Sequence, residues 1–405
     1  MLGAMRLPPS TSLAEAYSGR ANSVGFLRLV FASAVLVSHT WVLGAGRGHP
    51  FHLDLAGIAV AGFFGLSGFL ISRSARRSSL PRYLWHRLLR IFPGYWVCLA
   101  VTAFVVAPLL WVRDHGTLRG LLRGPQGAIH YVVSNSTTLI HQFGIGDLLV
   151  DTPYGQLVHA SVFDGSLWTL SYELLCYVGV AALAVVGILR RARLLVLLVA
   201  VGVYGVIVYD FVIGPRTIGP LIGHPIVFRY FDLFFLLYYG FMFLLGAVAD
   251  LYSERIPIND ALGAGMLVVF AVAVYEGMLF SVALPAFAYV LLWLGVRLPK
   301  RLHVVGLRND YSYGVYIYAF VVQQVLAEFG AQRFGLFWYF VLAMLGSFGC
   351  AYLSWHLVEK RAMRLKDWSP RWPRRRADPA EPASAPTAEP ASAPAAEPAP
   401  APAGG

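Results

Sequence analysis

The sequence predicts an all-α fold, a polytopic membrane helix bundle of about ten transmembrane helices with both termini cytoplasmic. Three observations carry that expectation: an apolar composition, ten apolar runs of membrane length, and a lopsided distribution of Lys and Arg. Of 405 residues, 58% are hydrophobic and 13% charged, about half the ~25% charge of a soluble protein. Runs of about 17–25 apolar residues suffice to cross a bilayer. Ten are found, at 24–44, 56–72, 92–112, 167–189, 194–212, 231–250, 260–276, 279–296, 311–328 and 336–357. Gly62, Gly65 and Gly68 recur at helical spacing in the second, a pattern that lets helices approach closely.

The 32 Lys and Arg set the orientation. The connections on one side hold Arg6, Arg20, the cluster from Arg73 to Arg90, Arg190 to Arg193, Arg255, Arg297 to Arg308, and Lys360 to Arg376. The other side has only Arg47, Arg113, Arg119, Arg123, Arg216, Arg229 and Arg333. An even number of spans then puts both termini on the basic, cytoplasmic side. Three parts follow: a cytoplasmic segment 1–23, a membrane domain 24–366, and a tail 367–405 that is basic and then Ala/Pro-rich, expected to be disordered. No apolar stretch precedes Val24, so no cleaved signal peptide is expected. The net charge of +11 is explained by topology, which argues against a nucleic-acid partner. Cys98, Cys176 and Cys350 lie inside apolar runs without metal-ligand spacing, so neither a disulfide framework nor a metal site is expected.

Polar residues inside spans are where function is sought, because an arginine at mid-bilayer costs about 2.5–3.5 kcal/mol or more. The first span holds Arg28 and His39. Eleven positions amount to about three turns with only ~20° of mismatch, so both look the same way, roughly 16 Å apart along the axis. Hydropathy puts His39 and Glu173, near the start of the fourth span, at similar depth on the outer side. A carboxylate beside an imidazole would fix its tautomer and raise its basicity, as general-base catalysis on a hydroxyl requires. The alternatives are that each satisfies a separate buried polar group, or that one of them pairs with Arg28. Arg28 itself either binds an anion or snorkels to the interface. Arg87 and Arg90, three apart on a helical face, suit a phosphorylated ligand or ordinary topogenic charge. The long connection 113–166, with His115, His130, His141, Asp147, Asp151, His159 and Asp164, is either an acceptor-binding lid or a partly ordered loop.

Five ordered motifs go further: Arg28-x10-His39, FFGLSGFLIS (63–72), RLLRIFPGYW (87–96), SLWTLSYE (166–173) and SYGVY (312–316). Together they make the chain resemble the membrane-bound acyltransferase-3 family, whose members O-acylate cell-surface polysaccharides and other glycans. The resemblance implies acyl-CoA, acetyl-CoA foremost, as cytoplasmic co-substrate with no resident cofactor. It implies His39 as the catalytic histidine and Arg28, Arg87 and Arg90 as donor-binding residues. Ser67, Gly68, Trp168, Ser171 and Tyr313 join the candidates as motif positions. It further implies a bacterial cytoplasmic membrane, a surface glycan or glycolipid acceptor, and direct transfer or relay through an acyl-accepting partner protein. Two positions depart from the family pattern: Ala319 and Val321 stand where many members carry His and Pro, and Asp164 stands where relatives often have Asn. The competing class is a secondary transporter or flippase using Arg28, His39 and Glu173 as a relay.

Overall fold

A computed structural model describes residues 11–18, 22–48, 53–213, 225–226 and 230–368. The low-complexity tail and the basic run from Arg371 to Arg376 lie outside the described residues. Each of the ten expected runs is a helix: α1 (Val24–Ala45), α2 (Leu55–Arg77), α3 (Leu80–His115), α4 (Thr169–Val185), α5 (Arg193–Ile213), α6 (Leu233–Leu251), α7 (Asp260–Tyr275), α8 (Leu279–Arg297), α9 (Ser312–Glu328) and α10 (Leu336–Ser354). Among the described residues, seven segments are long and apolar enough to cross a membrane. The others, α4, α7 and α9, have 17, 16 and 17 residues. The protein is an all-α membrane bundle.

Helix α3 starts twelve residues before its apolar run, because the amphipathic stretch bearing Arg82, Arg87 and Arg90 continues the same helix beyond the hydrophobic part. Its path contains a π-helical turn at Thr102–Val106 just before Pro108. A wider turn there accommodates a residue with no N–H to give. A second π turn, Trp355–Glu359, extends α10.

The tightest packing joins α2 to α6. A Cβ on Gly68 would stand 2.0 Å from the Phe243 carbonyl oxygen, and one on Gly246 would stand 2.1 Å from that of Gly65. A Cβ on Gly62 would meet the Phe31 ring of α1 at 2.6 Å. The glycine spacing read from the sequence thus does bring backbones together. At the Arg-rich end of the same pair, Arg76 donates to the buried Asp250 carboxylate from Nη2 at 2.7 Å and Nε at 3.0 Å. The segment before α1 belongs to the packed bundle too. Leu13 and Tyr17 are buried, Thr11–Ser12 pair antiparallel with Pro257–Ile258, and the Tyr17 carbonyl accepts from Arg73.

The long connection is ordered. Asn135 organises it, accepting from the His141 and Gln142 N–H groups and donating to the Gln142 carbonyl at 2.7 Å. Tyr95 and Trp96 of α3 tie it down through the Asn135 and Ser136 carbonyls. Its last residues, Asp164, Ser166 and Leu167, are buried in the bundle, so α4 begins inside the protein rather than at its surface.

Gly68→Val is expected to destabilise the bundle by about 1–3 kcal/mol or more, since the added side chain forces α2 from α6. Gly240→Ala, where a Cβ meets nothing within 4 Å, is the matched control. Thermal unfolding of detergent-purified protein should show a fall for the first and none for the second.

Candidate active site

Helices α1 and α9 run side by side from the Arg-rich end to the opposite end, and α9 serves as a ruler for depth. At its start, Tyr313 donates to the Ile91 carbonyl at 2.7 Å, with the Arg90 guanidinium 5.3 Å from its ring centre. One turn on, the Tyr316 hydroxyl lies 2.5 Å from Thr169 Oγ1 and donates to the Ser166 carbonyl at 3.0 Å. Another turn on, the Phe320 ring meets His39, centroids 5.4 Å apart and nearly perpendicular. Gln323 and Gln324 follow.

At the Tyr313 level a cavity of about 330 Å³ brings together Arg28, Ser67, Arg87, Arg90, Glu173 and Tyr313. A second cavity of about 350 Å³ adjoins it along Arg28, Leu70, Gly306, Leu307 and Asp310. A void of about 30 Å³, room for about one water, forms its inner recess beneath Phe63 and Tyr316. Arg28 borders all three. Six of the sequence candidates therefore converge on one site.

His39 is not among the residues lining these cavities, and the pairing of Glu173 with His39 expected from depth does not form. Glu173 Oε1 instead accepts from Ser67 Oγ at 3.1 Å and, in a short contact, from the Tyr177 hydroxyl. The cause lies in the buried approach to α4: its first turn starts level with Tyr316, so Glu173 falls toward the Arg-rich end and shares a cavity with Arg28. His39 Nδ1 is buried without a partner among the described residues. Phe63 and Tyr316, ring centroids 5.7 Å apart, line the recess, and Tyr316 comes one turn before Phe320, the ring that meets His39.

The three arginines divide. Arg90 is matched by carboxylates, donating to Asp310 at 2.5 Å and Glu359 at 3.5 Å. Burial opposes ionisation of Asp310, but Arg90 and then Arg28 outweigh it and hold the carboxyl below its ordinary range. The Nε of Arg28 and that of Arg87 are buried with no hydrogen-bond partner among the described residues. Their guanidiniums stand over aromatic rings, Arg28 on Phe63 at 5.7 Å and Arg87 on Tyr177 at 5.8 Å. Arg308 and Lys366 add charge to the same cavity.

The remaining motif positions are structural in setting. Gly68 serves the α2–α6 contact. Trp168 packs on Phe235, centroids 4.7 Å apart, and its carbonyl accepts from Ser171 Oγ at 2.6 Å. Ala319 fills a three-helix contact with Leu36 and Ala343. Asp164 is buried, accepting from Tyr131 at 3.2 Å. Sequence reading did not single out Tyr177, Tyr316, Asp310 or Glu359. Tyr177 stood four residues from Glu173, one helical turn, and Asp310 two residues before the SYG motif.

The family described as an acyltransferase domain matches residues 22–356. An O-acetyl transferase of Shigella phage Sf6 is 30% identical over 353 residues, covering 84% of this chain and 96% of the relative. Nodulation protein 10 of Rhizobium leguminosarum bv. viciae is 29% identical over 381 residues, covering 87% and 96%. No solved structure matches significantly.

Arg90→Gln leaves the buried Glu359 and Asp310 without their cation, and a broken buried pair costs about 3–5 kcal/mol. Loss of folded protein is expected in fluorescence-detected size exclusion. The depressed Asp310 carboxyl contributes stability above the ordinary carboxylate range and loses it as pH falls below. Stability should therefore decline toward acid pH more steeply in wild type than in Asp310→Asn.

Proposed function

The chain belongs to the membrane-bound acyltransferase-3 family and is an O-acyltransferase, and from that premise we propose that it moves an acyl group, acetyl foremost, from cytoplasmic acyl-CoA to a hydroxyl of an extracytoplasmic glycan. The observation that carries this reading is the Arg28 cavity. The cavity gathers Arg28, Arg87, Arg90, Arg308 and Lys366 against Glu173 and Asp310, with the Nε atoms of Arg28 and Arg87 buried without a partner among the described residues, an excess of positive charge that phosphates would balance. Arg28 and Arg87 would grip the phosphates of the donor. Arg90, held by Asp310 and Glu359, would shape the cavity wall rather than bind the donor directly.

The thioester arm would then extend along α9 past Phe63 and Tyr316, whose rings have to part to let it through. His39 would take the proton from the acceptor hydroxyl as that oxygen attacks the thioester carbonyl, and return it to the departing thiolate. Prior transfer of the acyl group to the imidazole fits the same position. Glu173 belongs on the donor side in this scheme, near Arg28. The location that the family likeness suggests is a bacterial cytoplasmic membrane, and the charge asymmetry supports the Arg-rich end facing inside.

The test is mass spectrometry of surface glycans from a deletion strain restored with wild type or His39→Ala at equal membrane levels. Wild type should restore an acyl mass shift. The variant should cut its rate of formation by about 10²–10⁴, the usual worth of a general base. Equal restoration by His39→Ala would sink the assignment of the base. Arg87→Gln should raise the KM for acetyl-CoA about ten- to hundredfold, the loss of a charged hydrogen bond.

A further inference from the structure

We infer that Gln324, with Gln323 beside it, forms the subsite that holds the acceptor as a polyol next to His39; this rests on the O-acyltransferase reading above. Both residues are fully buried in α9. Gln324 Nε2 donates to the Val162 carbonyl at 2.7 Å. Gln323 Nε2 donates to the Leu36 carbonyl at 3.1 Å and to Thr40 Oγ1 at 3.3 Å. A backbone carbonyl only accepts, so these bonds fix which way each carboxamide points. Each Oε1 is thereby turned elsewhere, and each is buried without a partner among the described residues.

These oxygens lie at the level of His39. Phe320, one turn before Gln324, meets the imidazole and packs with Leu43 and Val162, the residue whose carbonyl anchors Gln324. Gln323 is anchored on Leu36 and Thr40, three positions before and one after His39 on α1. His39 Nδ1 is the third buried nitrogen or oxygen there without a partner.

Two unpartnered acceptors on the helix whose Phe320 meets the imidazole call for a ligand that brings donors. A phosphate brings no donors when ionised, and an acyl chain brings none at all. A sugar brings several hydroxyls on adjacent carbons, so one can face His39 while its neighbours donate to Gln323 and Gln324. The site also lies beyond the Phe63–Tyr316 contact, on the side away from the cationic cavity, where an acceptor arriving from the opposite end would stop. Donor and acceptor thus meet different chemistry on one helix.

The experiment uses the purified full-length protein in lipid nanodiscs with radiolabelled acetyl-CoA. The acceptor is the host's own surface polysaccharide, O-deacylated by mild alkali and added at graded concentration. Gln324→Leu is expected to raise the KM for polysaccharide about tenfold or more while the KM for acetyl-CoA stays within about twofold. Gln324→Asn keeps the amide and withdraws it by one methylene; it should move the same KM in the same direction, and it stands in if the leucine variant does not fold. An unchanged polysaccharide KM, an equal rise in both KM values, or a fall in kcat alone overturns the subsite. No transfer by the wild-type protein overturns the O-acyltransferase reading itself and the subsite with it, so the two failures are distinguishable.

Discussion

Direct backbone contact between α2 and α6 is the constraint on which the site depends. In hydrocarbon there is no hydrophobic force to draw helices together, and packing has to come from close approach of small residues. Gly65, Gly68 and Gly246 allow that approach, and Arg76 on Asp250 locks the pair at the Arg-rich end. Ser67, between two of those glycines in sequence, is thereby held where it donates to Glu173. Gly62, on the Phe31 ring, sets α1 against the same helix, and so sets Arg28 over Phe63. The cavity-lining groups from α1, α2 and α4 are referenced to one rigid contact.

Much of this was legible in the sequence because a bilayer imposes simple rules on length and polarity. The ten membrane-length helices and the glycine face of α2 follow from runs and spacing, whereas the convergence of Arg28, Ser67, Glu173 and Tyr313 does not, since depth alone paired Glu173 with His39. What was illegible had local causes. Hydropathy cannot see the amphipathic start of α3, because the arginines that line the cavity also end the apolar run. It cannot see that the residues before α4 are buried, and that hidden segment is what moves Glu173 away from His39. Nor does a sequence show that Arg90 has carboxylate partners while the Nε atoms of Arg28 and Arg87 have none. That distinction depends on Asp310 and Glu359 arriving from distant parts of the chain.

The contrast among the arginines separates structure from binding in energetic terms. A buried cation with matched carboxylates is a fixed part of the wall, costly to break and of little net worth to form. A guanidinium whose buried Nε is left unmatched is held in a less favourable state by the surrounding fold. Binding energy becomes available when an anion arrives, since part of the desolvation has already been met. The same reasoning applies to the unpartnered amide oxygens of α9, with the sign of the required partner reversed.

The Phe63–Tyr316 contact has a consequence for the cell that carries the protein. A polar cavity at one end and unpartnered polar groups toward the other make a membrane protein a hazard if the two ever join as a continuous water path. Protons and ions would then run down the membrane potential, about 2.3 kcal/mol per charge for each 100 mV. Under the proposed function the two packed rings would keep the compartments electrically separate. In that scheme the acyl group crosses covalently held and uncharged, so the barrier need admit only a slender uncharged arm. Acylation of an outer substrate would then proceed without short-circuiting the energy store that the membrane exists to maintain.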